Sequence, residues 1–370
     1  MHNGTSYLPR AQLGSLLEAL RTAGYRCVGP QVRDGAIVYD SLDDVTALPY
    51  GWHDRQAPGR YRLESDVSPR CFAWANGPQA LKPLVFRSEE RQWRARRDAG
   101  GALSFEPLLP AAERIAVIGV RACDLAALEL QDRHFLGDGV RDGQYAARRA
   151  NLFLVAVHCV SPADTCFCVS TGDGPRAERG YDLALGELDD GFLIDAGSEA
   201  GAALLRGLPV SPASAGQGAV VDAEIARGAA RQSRALPGRD LRAALFAALD
   251  HPRWDAVAER CLSCGNCTSV CPTCFCYSAT DEPTLQGDAS EHGRRWDSCF
   301  SRGHSYIHGL VVRADTRGRY RQWLTHKLGS WHEQYGRSGC VGCGRCIAWC
   351  PVGIDITEEA AAICAAAPDG

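Results

Sequence analysis

The chain has 370 residues, 45% of them hydrophobic and 23% charged, which suits two or three ordinary globular domains with sizeable cores. A formal net charge of −4 argues against binding to nucleic acid or to a membrane surface. The longest apolar runs, around Ile115–Ile118 and at Leu152–Val157, are far too short to cross a bilayer. Met1–Arg10 has neither the charged start nor the apolar core of a leader, so a cytoplasmic protein is expected. Only Lys82 and Lys327 of the 40 basic residues are lysines, which reads as coding bias towards arginine.

In chain order, Leu8–Ala23 predicts a helix with Leu13, Leu16, Leu17 and Leu20 on one face, closed by Gly24. Arg26–Leu42 alternates weakly about Asp34-Gly35, a hairpin signal. Two buried strands, Ile115–Val120 and Leu152–Val157, flank a helix over Asp124–Phe135, which predicts a parallel unit in an α/β domain. Ser211–Gly218 reads as a surface loop, and Asp240 as a cap for a helix carrying Leu241, Leu245 and Leu249. Trp254, Val257 and Cys261 continue at helical spacing. The domain boundary is placed near residue 235, with an α/β domain over 1–235. Over 236–370 almost everything reads as helix or cysteine loop. There Tyr320, Trp323, Leu324, Leu328 and Trp331 form one helical stripe, expected to be core.

Cysteine carries the chemistry. Eleven of the 18 cysteines fall between Cys261 and Cys350, in tight clusters that read as metal binding and not as a disulfide framework. Cys261-x2-Cys264-x2-Cys267-x3-Cys271-Pro272 recurs as Cys340-x2-Cys343-x2-Cys346-x3-Cys350-Pro351. This is the pattern of two-cluster bacterial ferredoxins, in which the fourth cysteine of each run ligates the other cube. Cys261, Cys264, Cys267 and Cys350 are therefore assigned to one [4Fe–4S] cluster, and Cys340, Cys343, Cys346 and Cys271 to the other. Zinc also takes four cysteines, but its ribbons use two separated pairs and not matched runs ending in Cys-Pro. The runs start 79 residues apart with helical sequence between them, which points to an α-helical ferredoxin-type domain.

Cys123 and Cys159 each follow one of the two buried strands, so both are expected at one sheet edge, with Cys166 and Cys168 close behind. These four thiols could hold a third [4Fe–4S] cluster or zinc, or stay unligated. Thr165-Cys-Phe-Cys168 recurs as Thr273-Cys-Phe-Cys276, which leaves Cys274 and Cys276 surplus, as is Cys299. Cys27, Cys71 and Cys364 read as ordinary buried cysteines. His304-x3-His308 has the spacing of one helix face but no evident third ligand. Among dinucleotide and phosphate-loop fingerprints, none is found.

Gly119-Val-Arg-Ala-Cys-Asp124, His158-Cys159 running into Thr165–Cys168, Cys271–Cys276 and Gly339-Cys-Val-Gly-Cys-Gly-Arg-Cys346 together resemble a known family. They are similar to the iron–sulfur β subunit of cytosolic sulfhydrogenase-type nickel–iron hydrogenases, and also to the related electron-transfer subunit of anaerobic sulfite reductase. The resemblance runs from about residue 35 to 355, and no role is attached to the first 30 residues. It implies a non-catalytic electron-transfer subunit of a soluble complex. Another subunit would bind flavin and NAD(P)H, and a further one would hold the catalytic metal, nickel–iron or sirohaem. Two other readings stand beside it. One is a thiol or disulfide reductase using Cys123, Cys159, Cys166 or Cys168; the other is a structural zinc protein.

Overall fold

The computed structural model describes residues 4–365 apart from 112, 138 and 140. Residues 1–3 of the stretch read for a leader, and 366–370, lie outside the described residues. In chain order the first strands are β1 (Ser6–Pro9), β2 (Arg26–Arg33), β3 (Ala36–Ser41), β4 (Trp52–Ala57), β5 (Arg60–Ser65), β6 (Glu89–Arg97) and β7 (Leu103–Pro107). Then come β8 (Ile115–Val120), β9 (Leu152–Val157), β10 (Leu183–Glu187), β11 (Gly191–Ala196) and β12 (Ser211–Pro212). The last are β13 (Tyr277–Pro283), β14 (Ala289–Trp296), β15 (Tyr306–Ile307) and β16 (Leu310–Val311).

An eight-stranded mixed sheet has the order β12-β1-β11-β10-β9-β8-β2-β3. Its centre, β10-β9-β8-β2, is parallel. The expected parallel unit is there: β8 runs into the helix Ala122–Phe135 and returns through β9. Every residue of β8 is buried, because helices and loops cover both faces of a parallel sheet, and this explains its unbroken apolar sequence. The Arg26–Leu42 hairpin forms as expected about Asp34-Gly35.

Several expectations need correction. Leu8 belongs to β1, opposite Phe192, and the first α-helix begins only at Leu13. Residues 6–30 thus contribute strands to the sheet and side chains to the core. Ser211–Gly218 is not a loop throughout. Ser214 and Gln217 close a capping box that starts the helix Ala215–Ala230. His304 and His308 share no helix face: His304 sits in a 3-10 turn and His308 in the β15–β16 turn.

The largest departure lies beyond residue 235. The longer helices expected there do form, over Leu241–Ala247, Arg253–Arg260, Thr316–Thr325, Trp331–Tyr335 and Ile356–Ala365, but they cover less than half of the region. They enclose Trp254, Tyr320, Trp323, Leu324, Leu328 and Ile363, so the aromatic stripe is core as expected. Residues 277–296, however, form a β-hairpin that joins β6 and β7 in a second sheet, β13-β14-β6-β7. That sheet draws strands from both sides of residue 235. Its sequence carries no apolar alternation because both faces of this ribbon are largely solvated, so the usual strand signal is missing.

Candidate metal centres

The sheet edge comes first. At the end of β8 the ladder shifts at Gly119, whose φ of +86° and tight fit against Phe72 suit glycine. The chain is thereby turned so that Cys123 lies in the first turn of the following helix. Cys159 follows β9, and its N–H donates to Pro175 O at 3.1 Å. Both thiols emerge at the carboxyl ends of adjacent parallel strands, where open α/β sheets place ligands.

A wide cleft between the helix Ala122–Phe135 and residues 172–180 carries no cysteine among its lining residues. The cysteines line three small cavities instead. The first is walled by Cys261, Cys264, Cys267 and Cys350, with Cys346 at its inner side. The second is walled by Cys271, Cys340, Cys343 and Cys346. The third takes Cys123, Cys159, Cys166 and Cys168, again with a shared residue, Cys343. The structure therefore gathers the twelve cysteines into the three groups that the spacing suggested. Cys346 is common to the first and second cavities, and Cys343 to the second and third, so the three lie in a row.

Two glycines make the contact between the second and third cavities possible. Gly342 has a φ of +63°, and a Cβ there would stand 2.5 Å from Cys168 N. Gly344 has a φ of +71°, and its Cβ would meet Thr165 O at 2.4 Å. Phe167 N–H donates to Gly342 O at 2.8 Å, which locks the Thr165–Cys168 segment onto the second cysteine run.

Burial pushes the Cys123, Cys159 and Cys166 thiols up. It also pushes Cys168 up to about 12, against a hydrogen bond from Gln232 that lowers it. Thiols held protonated in this way are poor nucleophiles, which weighs against a thiol reductase. A thiophilic metal would have to displace those protons on binding. Cys271 differs: a hydrogen bond from Cys274, then the charge of Lys327 and the Thr273 hydroxyl, hold its thiol well below the usual range.

Buried cations surround the cavities. Lys82 and Lys327, the two lysines of the chain, are 6% and 4% exposed; Lys327 lines the second cavity, and Lys82 lies behind the turn that carries Cys271. Lys82 Nζ donates to Thr268 O, Ser269 O and Cys271 O, at 3.3–3.4 Å, over the Trp296 ring. Lys327 Nζ donates to Thr273 Oγ1 at 2.8 Å and lies over Trp331, placed inward by the π-helical turn His326–Ser330. Burial opposes the Lys327 charge, but its interactions with Cys271, Cys274 and Cys340 outweigh it and lift its pKa. Arg345, inside the second run, pairs with Asp124 beside Cys123 at 2.8 Å, both side chains 1% exposed. Arg121 lines the third cavity and donates to Phe72 O and Trp74 O at 2.8 and 2.7 Å. These fixed charges suit groups that carry negative charge on four thiolates.

The donor sets and spacing fit [4Fe–4S] clusters: four thiolates per cavity, apolar walls, and N–H groups aimed at sulfur. Ile354 N–H donates to Cys350 Sγ at 3.3 Å and Gln232 Nε2 to Cys168 Sγ at 3.2 Å. Sequence reasoning missed the lysine pair, the Arg345–Asp124 pair and the two glycine contacts. A buried charge beside a cysteine run leaves no local periodicity to read. Cys27, Cys71 and Cys364 are buried, as expected.

A family model described as a 4Fe-4S dicluster domain matches residues 260–354. Sulfhydrogenase 2 subunit beta of Pyrococcus furiosus is 33% identical over 246 residues, which cover 65% of this chain and 72% of that protein. No solved structure matches. With both cysteine runs inside the matched domain and a curated relative at this identity, the chain belongs to the sulfhydrogenase β-subunit family.

Proposed function

We propose that this chain is the iron–sulfur electron-transfer subunit of a hydrogenase-type complex, and that it conducts electrons through three [4Fe–4S] clusters in line. The observation that carries this is the row of three cysteine-lined cavities with shared walls at Cys346 and Cys343. Bound there, such clusters supply one-electron transfer with little movement of their ligands. The chain's own residues do the rest. Cys261, Cys264, Cys267 and Cys350 hold the outer position, in the α-helical ferredoxin-type region. Cys340, Cys343, Cys346 and Cys271 hold the middle one, with Lys82 and Lys327 offsetting its charge. Cys123, Cys159, Cys166 and Cys168 hold the inner one beside Arg121. Phe300, Tyr320, Ile354 and Ile356 wall the outer position apart from water.

The outer position also reaches the surface. Cys264 is exposed, and Leu262 and Val352 at its rim are 63% and 37% exposed. An apolar rim over a thiolate-lined cavity suits electron exchange with a docked partner. The partners we propose are a flavin subunit linked to NAD(P)H and a nickel–iron catalytic subunit. No helix among the described residues is long and apolar enough to cross a membrane.

The test is anaerobic purification of the native complex, with iron counting and mass spectrometry of the co-purifying chains. About twelve irons on this subunit, falling to about eight in Cys166→Ser, is the expected result. About eight irons in both proteins would remove the third cluster. A nickel-binding chain with a flavin chain supports the hydrogenase reading, whereas a sirohaem chain would replace it with a sulfite reductase.

A further inference from the structure

Three of the residues left over by the cluster assignment come together away from those cavities. We propose that Cys276, Cys299 and His304 form a separate site that binds one zinc ion. Their two Sγ atoms and a ring nitrogen lie within 4.8 Å of one another, and none of the three lines the cysteine cavities.

The fold produces this grouping at the base of the β13–β14 hairpin. Cys276 immediately precedes β13 and Cys299 follows β14. The register that sets Tyr277 opposite Trp296 brings the two ends side by side, and Asp297 N–H donates to Cys276 O at 3.0 Å. The 3-10 turn Gly303–Ser305 then returns His304 to the same place.

Asp297 completes the arrangement. Its Oδ2 accepts from His304 Nδ1 at 3.3 Å and from the Ser278 hydroxyl, while Oδ1 accepts from Ser298 N–H at 2.7 Å. A carboxylate fixed on one ring nitrogen orients the imidazole and leaves Nε2 for a metal, the usual outer support of a histidine ligand. Two thiolates and one imidazole select a borderline-soft ion, and the two sulfur charges balance a divalent one. Cys299 is buried, whereas Cys276 and His304 are partly exposed, and a water would supply the fourth ligand. A cube would require more thiolates than these three segments offer.

The ion would clamp both ends of the hairpin to the turn that carries His304. It would thereby anchor the segment from Pro272 to Cys276, which leads directly from Cys271 in the second cavity. The site is a structural clamp and requires no redox step.

The experiment uses the full-length chain, expressed with zinc supplied and purified anaerobically. Metal analysis should find about one zinc per chain, lost in Cys299→Ser and in His304→Ala with iron unchanged. X-ray absorption at the zinc edge of the unaltered protein covers the case in which either variant fails to fold. It should show two sulfurs at about 2.3 Å and a nitrogen near 2.0–2.1 Å. Absence of zinc, its retention in Cys299→Ser, a four-sulfur shell, loss of iron in place of zinc, or a Cys276–Cys299 disulfide by thiol counting would each overturn the site. The iron count reports separately on the electron-transfer reading, so the two can fail independently.

Discussion

Replacing Lys327 by methionine removes a buried positive charge beside the middle cavity while roughly keeping side-chain volume. Lys327 Nζ donates to Thr273 Oγ1 at 2.8 Å, and that hydroxyl lies 3.2 Å from Cys271 Sγ. The ammonium is therefore at most about 6 Å from the thiolate. At an effective dielectric constant of about 20, unit charges 6 Å apart interact by about 3 kcal/mol. For a one-electron couple that corresponds to about 120 mV, and somewhat less at the centre of a cube, where the added electron is spread. Loss of the cation disfavours reduction, so the midpoint potential of one of the clusters should fall by roughly 50–100 mV while the others hold. The assay is a potentiometric titration followed by electron paramagnetic resonance on anaerobic protein with unchanged iron content. Thr273→Val, which removes the intervening hydroxyl and keeps the ammonium, should shift the potential much less. A Lys327→Met potential within about 20 mV of the unaltered protein, or above it, would refute the electrostatic argument.

Three further outcomes are expected. Gly342→Ala puts a Cβ 2.5 Å from Cys168 N at a φ of +63°. It should cost at least about 2 kcal/mol and deplete iron from the inner position. Gly336→Ala has the same hand of backbone but open space, so it should cost only about 1 kcal/mol and no iron, as denaturant melts and iron assays will show. Arg345→Met leaves Asp124 buried without its ion-pair partner and should destabilise by about 3–5 kcal/mol; adding Asp124→Asn should recover much of the loss in the same melts. Burial, with the charges of Lys327 and Arg313, lowers the His326 pKa to about 4, and its Nε2 accepts from Trp331 Nε1 at 3.2 Å. The unfolded chain takes up this proton below about pH 6.5 and the folded one only near 4, so stability is full above 6.5 and falls as pH drops through that window. The loss should be on the order of 1–2 kcal/mol by pH 5, and His326→Gln should flatten the curve of urea midpoint against pH.

Local chemistry was legible. Three thiolates around one cube demand two-residue gaps, so both cysteine runs announce themselves in any window of about a dozen residues. The same holds for the buried strands Ile115–Val120 and Leu152–Val157. Their apolar runs and the helix between them specify a parallel unit, and with it the edge from which Cys123 and Cys159 emerge. The polar ribbon β13–β14 was illegible for the converse reason. Its pairing with β6 depends on backbone hydrogen bonds that carry no side-chain period.

By itself, then, the sequence determined the two cysteine runs, the parallel unit and the family. The tertiary structure alone decided the order of the three cavities: Cys346 comes to wall both the first and the second, and Cys343 both the second and the third, the latter because Gly342 and Gly344 admit the Thr165–Cys168 segment against the second run. It also decided that two lysines 245 positions apart both reach the Cys271–Thr273 turn, and that Cys276, Cys299 and His304 face one another. Such meetings depend on where a β-hairpin folds back and where a π-helical turn points inward, and neither is written in the spacing of the residues that meet.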